Sequence, residues 1–148
     1  MNKDAFATWE VLGCAAVDSG QLLLIDPARL SQWEQREFED VRIYEHATTG
    51  QTLQYGVDFG HYTDKLPQYN GLDMNQLVAS GEWEMQPVDP GAGLSYNTVS
   101  HTTLNAGRGG QIDLGVAFST GFGDGLYPVK VRRCDDGRIM QVLIDFES

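Results

Sequence analysis

Leu126-Tyr127-Pro128-Val129-Lys130-Val131-Arg132-Arg133-Cys134-Asp135-Asp136-Gly137-Arg138-Ile139-Met140-Gln141-Val142-Leu143-Ile144-Asp145-Phe146 decides the fold class of this chain. Asp136-Gly137 is the preferred sequence of a two-residue hairpin turn, because both central residues of that turn need a positive φ. The register it predicts sets Val131 opposite Val142, Val129 opposite Ile144 and Tyr127 opposite Phe146 on one face, with Lys130 and Arg132 on the other. A slip of one residue would break all of these apolar pairs.

Working outward, similar signals recur. Gln111 to Ser119 alternates, which predicts one amphipathic strand with Ile112, Leu114, Val116 and Phe118 inward. Thr98 to Leu104 is β-branched and polar, the composition of an edge strand. Glu82 to Val88 reads as a strand, followed by the loop Asp89-Pro90-Gly91-Ala92-Gly93. Val41 to His46 and Thr52 to Phe59 form a predicted hairpin with Leu53, Tyr55, Val57 and Phe59 on one face. Trp9 to Val17 and Gln21 to Ile25, joined by Asp18-Ser19-Gly20, predict another hairpin; apolar on both faces, these strands are expected to lie centrally.

Two short helices interrupt the strands. Asp26-Pro27 places a capping carboxylate before a proline at the first helical position, and Ser31-Gln32-Trp33-Glu34 offers a second start. The resulting expectation is one amphipathic helix within residues 27–40, burying Leu30, Trp33 and Phe38. Asp73-Met74-Asn75-Gln76 is a capping-box variant, and Gly81 ends that helix after barely two turns. The whole reads as a single domain over residues 1–148, mainly β with minor helix: an antiparallel sandwich or strongly curved sheet of about eight strands.

The 148 residues, 41 % of them apolar, suffice for a buried core without disulfide or metal. Cys14 and Cys134 are far apart and lie in strand-like stretches, so free, buried cysteines are expected. Twenty-one acidic residues against ten basic ones give a formal charge of −11, which repels nucleic acid and anionic lipid and favours a basic protein partner. Met1 to Phe6 lacks the features of a secretory signal and no apolar run spans a bilayer, which predicts a cytoplasmic protein.

No motif names a reaction. The clusters Gly91-Ala92-Gly93, Gly107-Arg108-Gly109-Gly110 and Gly121-Phe122-Gly123-Asp124-Gly125 lack the spacing of phosphate loops and read as turns. His46, His61 and His101 lack zinc-ligand spacing, and no cofactor or metal site is expected. Asp124, between two glycines, is placed either to meet a ligand or to hold its own turn; Asp18 reads as a turn residue and Asp26 as a helix cap.

Val17-Asp18-Ser19-Gly20 with Asp26-Pro27, and Ser119-Thr120-Gly121-Phe122-Gly123-Asp124-Gly125-Leu126-Tyr127-Pro128-Val129, resemble an uncharacterised domain family of bacteria and phages that carries DSG…DP and GDGxYPV segments. The resemblance covers the two ends of the chain and not residues 61–104. It implies an intact β-rich domain, supplies no catalytic residues, and singles out Asp18, Asp26, Gly123, Asp124, Gly125 and Tyr127 as ligand-binding candidates. Together these observations point to a noncatalytic acidic binding module, such as a bacterial or phage accessory protein that modulates another protein. The alternatives are a small hydrolase or divalent-cation binder using Asp18, Asp26 and Asp124, and a homo-oligomer joined through Thr98–Leu104.

Overall fold

The computed structural model describes residues 8–147; the N-terminal stretch read above for a secretory signal lies outside them. In chain order the strands are β1 (Glu10–Val17), β2 (Gln21–Leu24), β3 (Trp33–Glu34), β4 (Ile43–His46), β5 (Thr52–Gln54), β6 (Trp83–Met85), β7 (Leu94–Ser95), β8 (Gly109–Ile112), β9 (Gly115–Ser119), β10 (Gly125–Arg133) and β11 (Ile139–Ile144). The α-helices are α1 (Met74–Ala79) and α2 (Tyr96–Leu104). The chain is mainly β with minor helix, as its sequence predicts, but the strands are shared among several two- and three-stranded sheets. Among the described residues no helix is long and apolar enough to cross a membrane.

The chain divides into two units, one formed by its two ends and the other by Leu24–Ala117. In the first, β10 is the central strand, antiparallel to β1 on one side and β11 on the other. The predicted register holds: Val131 faces Val142 and Val129 faces Ile144. Phe146 continues the series beyond the strand, its ring edge-on to Tyr127 at 5.1 Å. The turn differs from expectation. Gly137 N–H donates to the Cys134 carbonyl and Cys134 N–H to the Arg138 carbonyl, which leaves a three-residue loop with Gly137 at φ +87°. An irregularity between Arg132 and Arg133 then restores the predicted pairing.

Long-range pairing overrides the first predicted hairpin. β1 takes β10 as its partner, from Glu10 opposite Val131 to Val17 opposite Gly125, and β2 is bonded to β9 instead of β1. β1 is therefore an edge strand, and Val11 and Leu12 are 62 % and 57 % exposed where buried positions were expected. Both cysteines are free, but Cys14 is exposed on β1 and Cys134 is half-buried beside the turn, its Sγ bonded to Asp136.

In residues 24–117 a core of Tyr44, Leu53, Phe59, Leu66, Met74, Leu77 and Trp83 packs beneath the antiparallel sheet β5-β4-β6 and α1. The hairpin β4–β5 and helix α1 follow the sequence reading. Asp73 accepts from Gln76 N–H while the Gln76 side chain accepts from Asp73 N–H, a complete capping box. β5 stops at Gln54 because Gly56, at φ +80°, turns the chain, and Val57 is left exposed.

Three other expectations fail in this unit. Asp26 does cap a helix opened by Pro27, accepting from Ala28 N–H, but the helix is a single 3-10 stretch, Pro27–Gln32, with Leu30 exposed. It ends because Trp33-Glu34 pairs in parallel with Leu94-Ser95. Residues 111–119 are not one strand: Asp113, at φ +50°, turns the chain between β8 and β9 and inverts the facing that follows. Gly115 and Ala117 are consequently buried, and Leu114 and Val116 exposed.

The largest departure is Thr98–Leu104, which belongs to helix α2 instead of an edge strand; Asn97 to Thr103 are all buried. Ser95 caps the helix by accepting from Thr98 N–H, and Thr102 and Thr103 return their hydroxyls to the carbonyls of Thr98 and Ser100. The hydroxyls are thereby satisfied inside the fold, so burial costs them little. Thr98–Leu104 is therefore not the edge strand that the sequence reading expected.

Gly115 has no room for a side chain: an added Cβ would lie 2.9 Å from the Leu24 carbonyl and 3.1 Å from Ile25. Gly115→Ala is expected to lower stability in urea unfolding by about 1–3 kcal/mol.

Candidate functional site

The residues singled out from the sequence fall into two groups. Gly20 N–H donates to Asp124 Oδ1 at 2.8 Å, and Gly20 C=O accepts from Thr120 N–H. The Gly123 carbonyl accepts from both the Tyr127 and Thr120 hydroxyls, each at 2.8 Å. Gly123 itself sits at φ +80°, and Gly125 leaves room for the Tyr127 ring 3.4 Å from where a Cβ would stand. The fold thus brings the Asp18-Ser19-Gly20 turn and the Gly121–Gly125 turn together through the Gly20–Asp124 and Thr120–Gly20 bonds. Asp18 is exposed in its turn, and Asp26 is engaged in capping its own helix in the other unit. Among the described residues no three histidine, cysteine or acidic side chains stand close enough to hold a metal ion.

A different set of residues, missed by sequence reasoning, forms two clefts that share Phe38 and are both lined by the segment Trp33-Glu34-Gln35-Arg36-Glu37-Phe38-Glu39-Asp40. This segment makes little regular structure beyond β3, and helix α2 holds it in place. Asn97 Oδ1 accepts from Glu39 N–H at 2.8 Å, and His101 Nε2 lies 2.8 Å from the Glu39 carbonyl. A carbonyl only accepts, so Nε2 carries the proton, and Nδ1 remains a buried atom without a hydrogen-bond partner. The Phe38 ring rests 5.0 Å from the His101 ring. The Arg36 carbonyl accepts from Asn97 N–H. Four residues on from His101, Asn105 does the same for the other flank, bonding both the N–H and the C=O of Val88.

The first cleft, about 440 Å³, is lined by Phe38, Asp40, Arg42, Tyr55, His61 and Tyr62. Arg42 forks onto Asp40 at 2.6 and 2.9 Å, and Tyr62 O–H donates to Asp40 at 3.0 Å. The guanidinium carbon also lies 4.5 Å from the centre of the Tyr62 ring and 5.8 Å from that of Phe38. Burial opposes the charge on Asp40, but the hydrogen bonds and charge of Arg42, with the Tyr62 hydroxyl, outweigh it and hold the carboxyl below its ordinary range. Burial likewise works against the Arg42 cation, and its bond to Asp40 more than compensates. Burial and the bond from Tyr44 push the Tyr62 hydroxyl far above the ordinary phenol range. The cluster is fixed in its charge states, with Asp40 anionic, Arg42 cationic and Tyr62 neutral.

The second cleft, about 430 Å³, is bounded by Trp33, Glu34, Arg36, Glu37, Phe38 and Tyr96. The parallel pairing of Trp33-Glu34 with Leu94-Ser95 sets Tyr96, the first residue of α2, beside it. Comparison with protein-family models, curated proteins and solved structures finds no match to this chain.

Two outcomes follow for the residues above. Asp124→Ala, which removes the acceptor of Gly20 N–H, is expected to cost about 1 kcal/mol in thermal unfolding. Asp40→Asn leaves the Arg42 charge with 17 % side-chain exposure and no carboxylate, and is expected to cost about 2–4 kcal/mol at neutral pH. Because the folded-state pKa of Asp40 is depressed, the difference between wild type and Asp40→Asn is complete above about pH 4 and shrinks as pH falls through that depressed value. Urea titrations across that range measure it.

Proposed function

We propose that this protein is a noncatalytic binding module whose partner is a basic protein. The observation that carries the reading is geometric: the acidic, aromatic segment Trp33–Asp40 lines two clefts and is held in place by Asn97 and His101 of α2. At its end the Arg42 guanidinium forks onto Asp40 and, against the cost of burial, holds that carboxyl low.

Charge distribution supports the choice of partner. Thirteen of the twenty-one acidic residues, against five of the ten basic ones, fall within residues 24–117. Four acidic residues lie in the eight-residue segment Trp33–Asp40 that contributes to both clefts. An acidic, aromatic surface of this kind attracts cationic side chains and steers their approach. A role as an accessory protein that modulates a basic partner is consistent with the size of the chain.

Affinity capture from lysate of the source cells, followed by mass spectrometry, tests the reading. A partner of basic isoelectric point is expected to be retained at about 0.05 M salt and released near 0.5 M, as screening of surface charge requires. Capture of no partner at low salt, or retention indifferent to salt, would overturn it.

A further inference from the structure

We infer that the cleft bounded by Trp33, Phe38 and Tyr96 receives an arginine side chain of the partner; this deepens the binding-module reading and rests on it. Three aromatic residues and two acidic ones, Glu34 and Glu37, are among those that line the cleft, and the Glu34 carboxylate lies beside Gly93. Trp33 and Phe38 are half-buried, while Tyr96 is 43 % exposed although Asn97 to Thr103 behind it are buried. Aromatic faces attract cations, and carboxylates at the rim add the fork-shaped acceptor that a guanidinium matches and an ammonium does not.

The molecule already contains this recognition chemistry once. On the neighbouring cleft, which shares Phe38, the Arg42 guanidinium lies over the Phe38 and Tyr62 rings and forks onto the Asp40 carboxylate. The second cleft repeats those ingredients. The walls are also fixed in advance: Trp33 and Glu34 by pairing with β7, Phe38 by the His101 ring and the grip of α2 on Glu39, and Tyr96 by its place in α2. A preformed site of this kind loses little entropy on binding. Arg36 belongs to the same wall, and its guanidinium reaches Glu39 only at 3.9 Å. As a like charge, it weakens the site.

The test is an NMR titration of the full chain with Nα-acetyl-arginine N-methylamide, with the lysine and the neutral, isosteric citrulline analogues in parallel. Saturable shifts at the Trp33 indole and Tyr96 are expected with the arginine compound, weaker ones with lysine and none with citrulline. Tyr96→Ala and the double variant Glu34→Gln/Glu37→Gln are each expected to weaken binding by at least about fivefold, and Arg36→Gln to strengthen it. These side chains lie on an open wall, and unchanged thermal midpoints would establish that the variants fold. Equal shifts with arginine and citrulline, equal affinity for lysine, or indifference to the Glu34/Glu37 and Tyr96 variants would each overturn the assignment. If those results came with a salt-sensitive basic partner still captured, the arginine site would fall and the binding-module reading would stand. Arginine binding without any captured partner would leave a cleft that binds arginine but remove the protein partner, and with it the assignment of that arginine to one.

Discussion

The backbone of one residue, Glu39, gripped at both its N–H and its C=O by Asn97 and His101, is the constraint on which the 24–117 unit depends. The segment 35–40 has no strand to pair with, and its polar backbone must still be satisfied wherever it is covered. Helix α2 supplies the missing partners from its side chains. Asn105 repeats the arrangement on Val88, so one buried helix acts as the template for two irregular segments. This is why α2 is polar and yet buried: each polar group on it has a defined bond to make. His101 Nδ1 is the exception, an unpaired buried acceptor that costs about 1–3 kcal/mol and is tolerated because Nε2 and the ring's contact with Phe38 are needed.

From that constraint the clefts follow. Holding Glu39 fixes Phe38 on one side and Asp40 on the other, and Asp40 in turn fixes Arg42 and Tyr62. The pairing of β3 with β7 fixes Trp33 next to Tyr96. The segment is thereby held in one conformation, carrying two aromatic and four acidic side chains within residues 33–40.

The turns that the sequence made conspicuous do different work. Asp18-Ser19-Gly20 and Gly121–Gly125 are distant in the chain and are joined by the bonds of Gly20 N–H to Asp124 and of Thr120 N–H to the Gly20 carbonyl, while the Thr120 and Tyr127 hydroxyls brace the second turn through the Gly123 carbonyl. Sequence reasoning weighed Asp124 between a ligand and its own turn, and what the carboxylate holds is a second turn. Conversely, the Asp40–Arg42–Tyr62 cluster left no legible signal, since an aspartate, an arginine and a tyrosine in a polar stretch look like solvated surface until the fold places a ring beneath the guanidinium.

Local chemistry settled what it governs directly. The C-terminal register, with Val131 against Val142 and Val129 against Ile144, the capping box of α1, the hairpin β4–β5 and the Asp26-Pro27 helix start were all readable, because each depends on neighbours a few residues away. Tertiary structure alone decided the rest. Whether β1 would pair with β2 or with β10 depends on a strand more than a hundred residues distant, and pairing along nearly its full length outweighs a convenient turn. Whether Thr98–Leu104 would be strand or helix depended on having Glu39 and Val88 to bond, since β-branched residues disfavour helix only weakly and burial with satisfied polar groups overrides that preference.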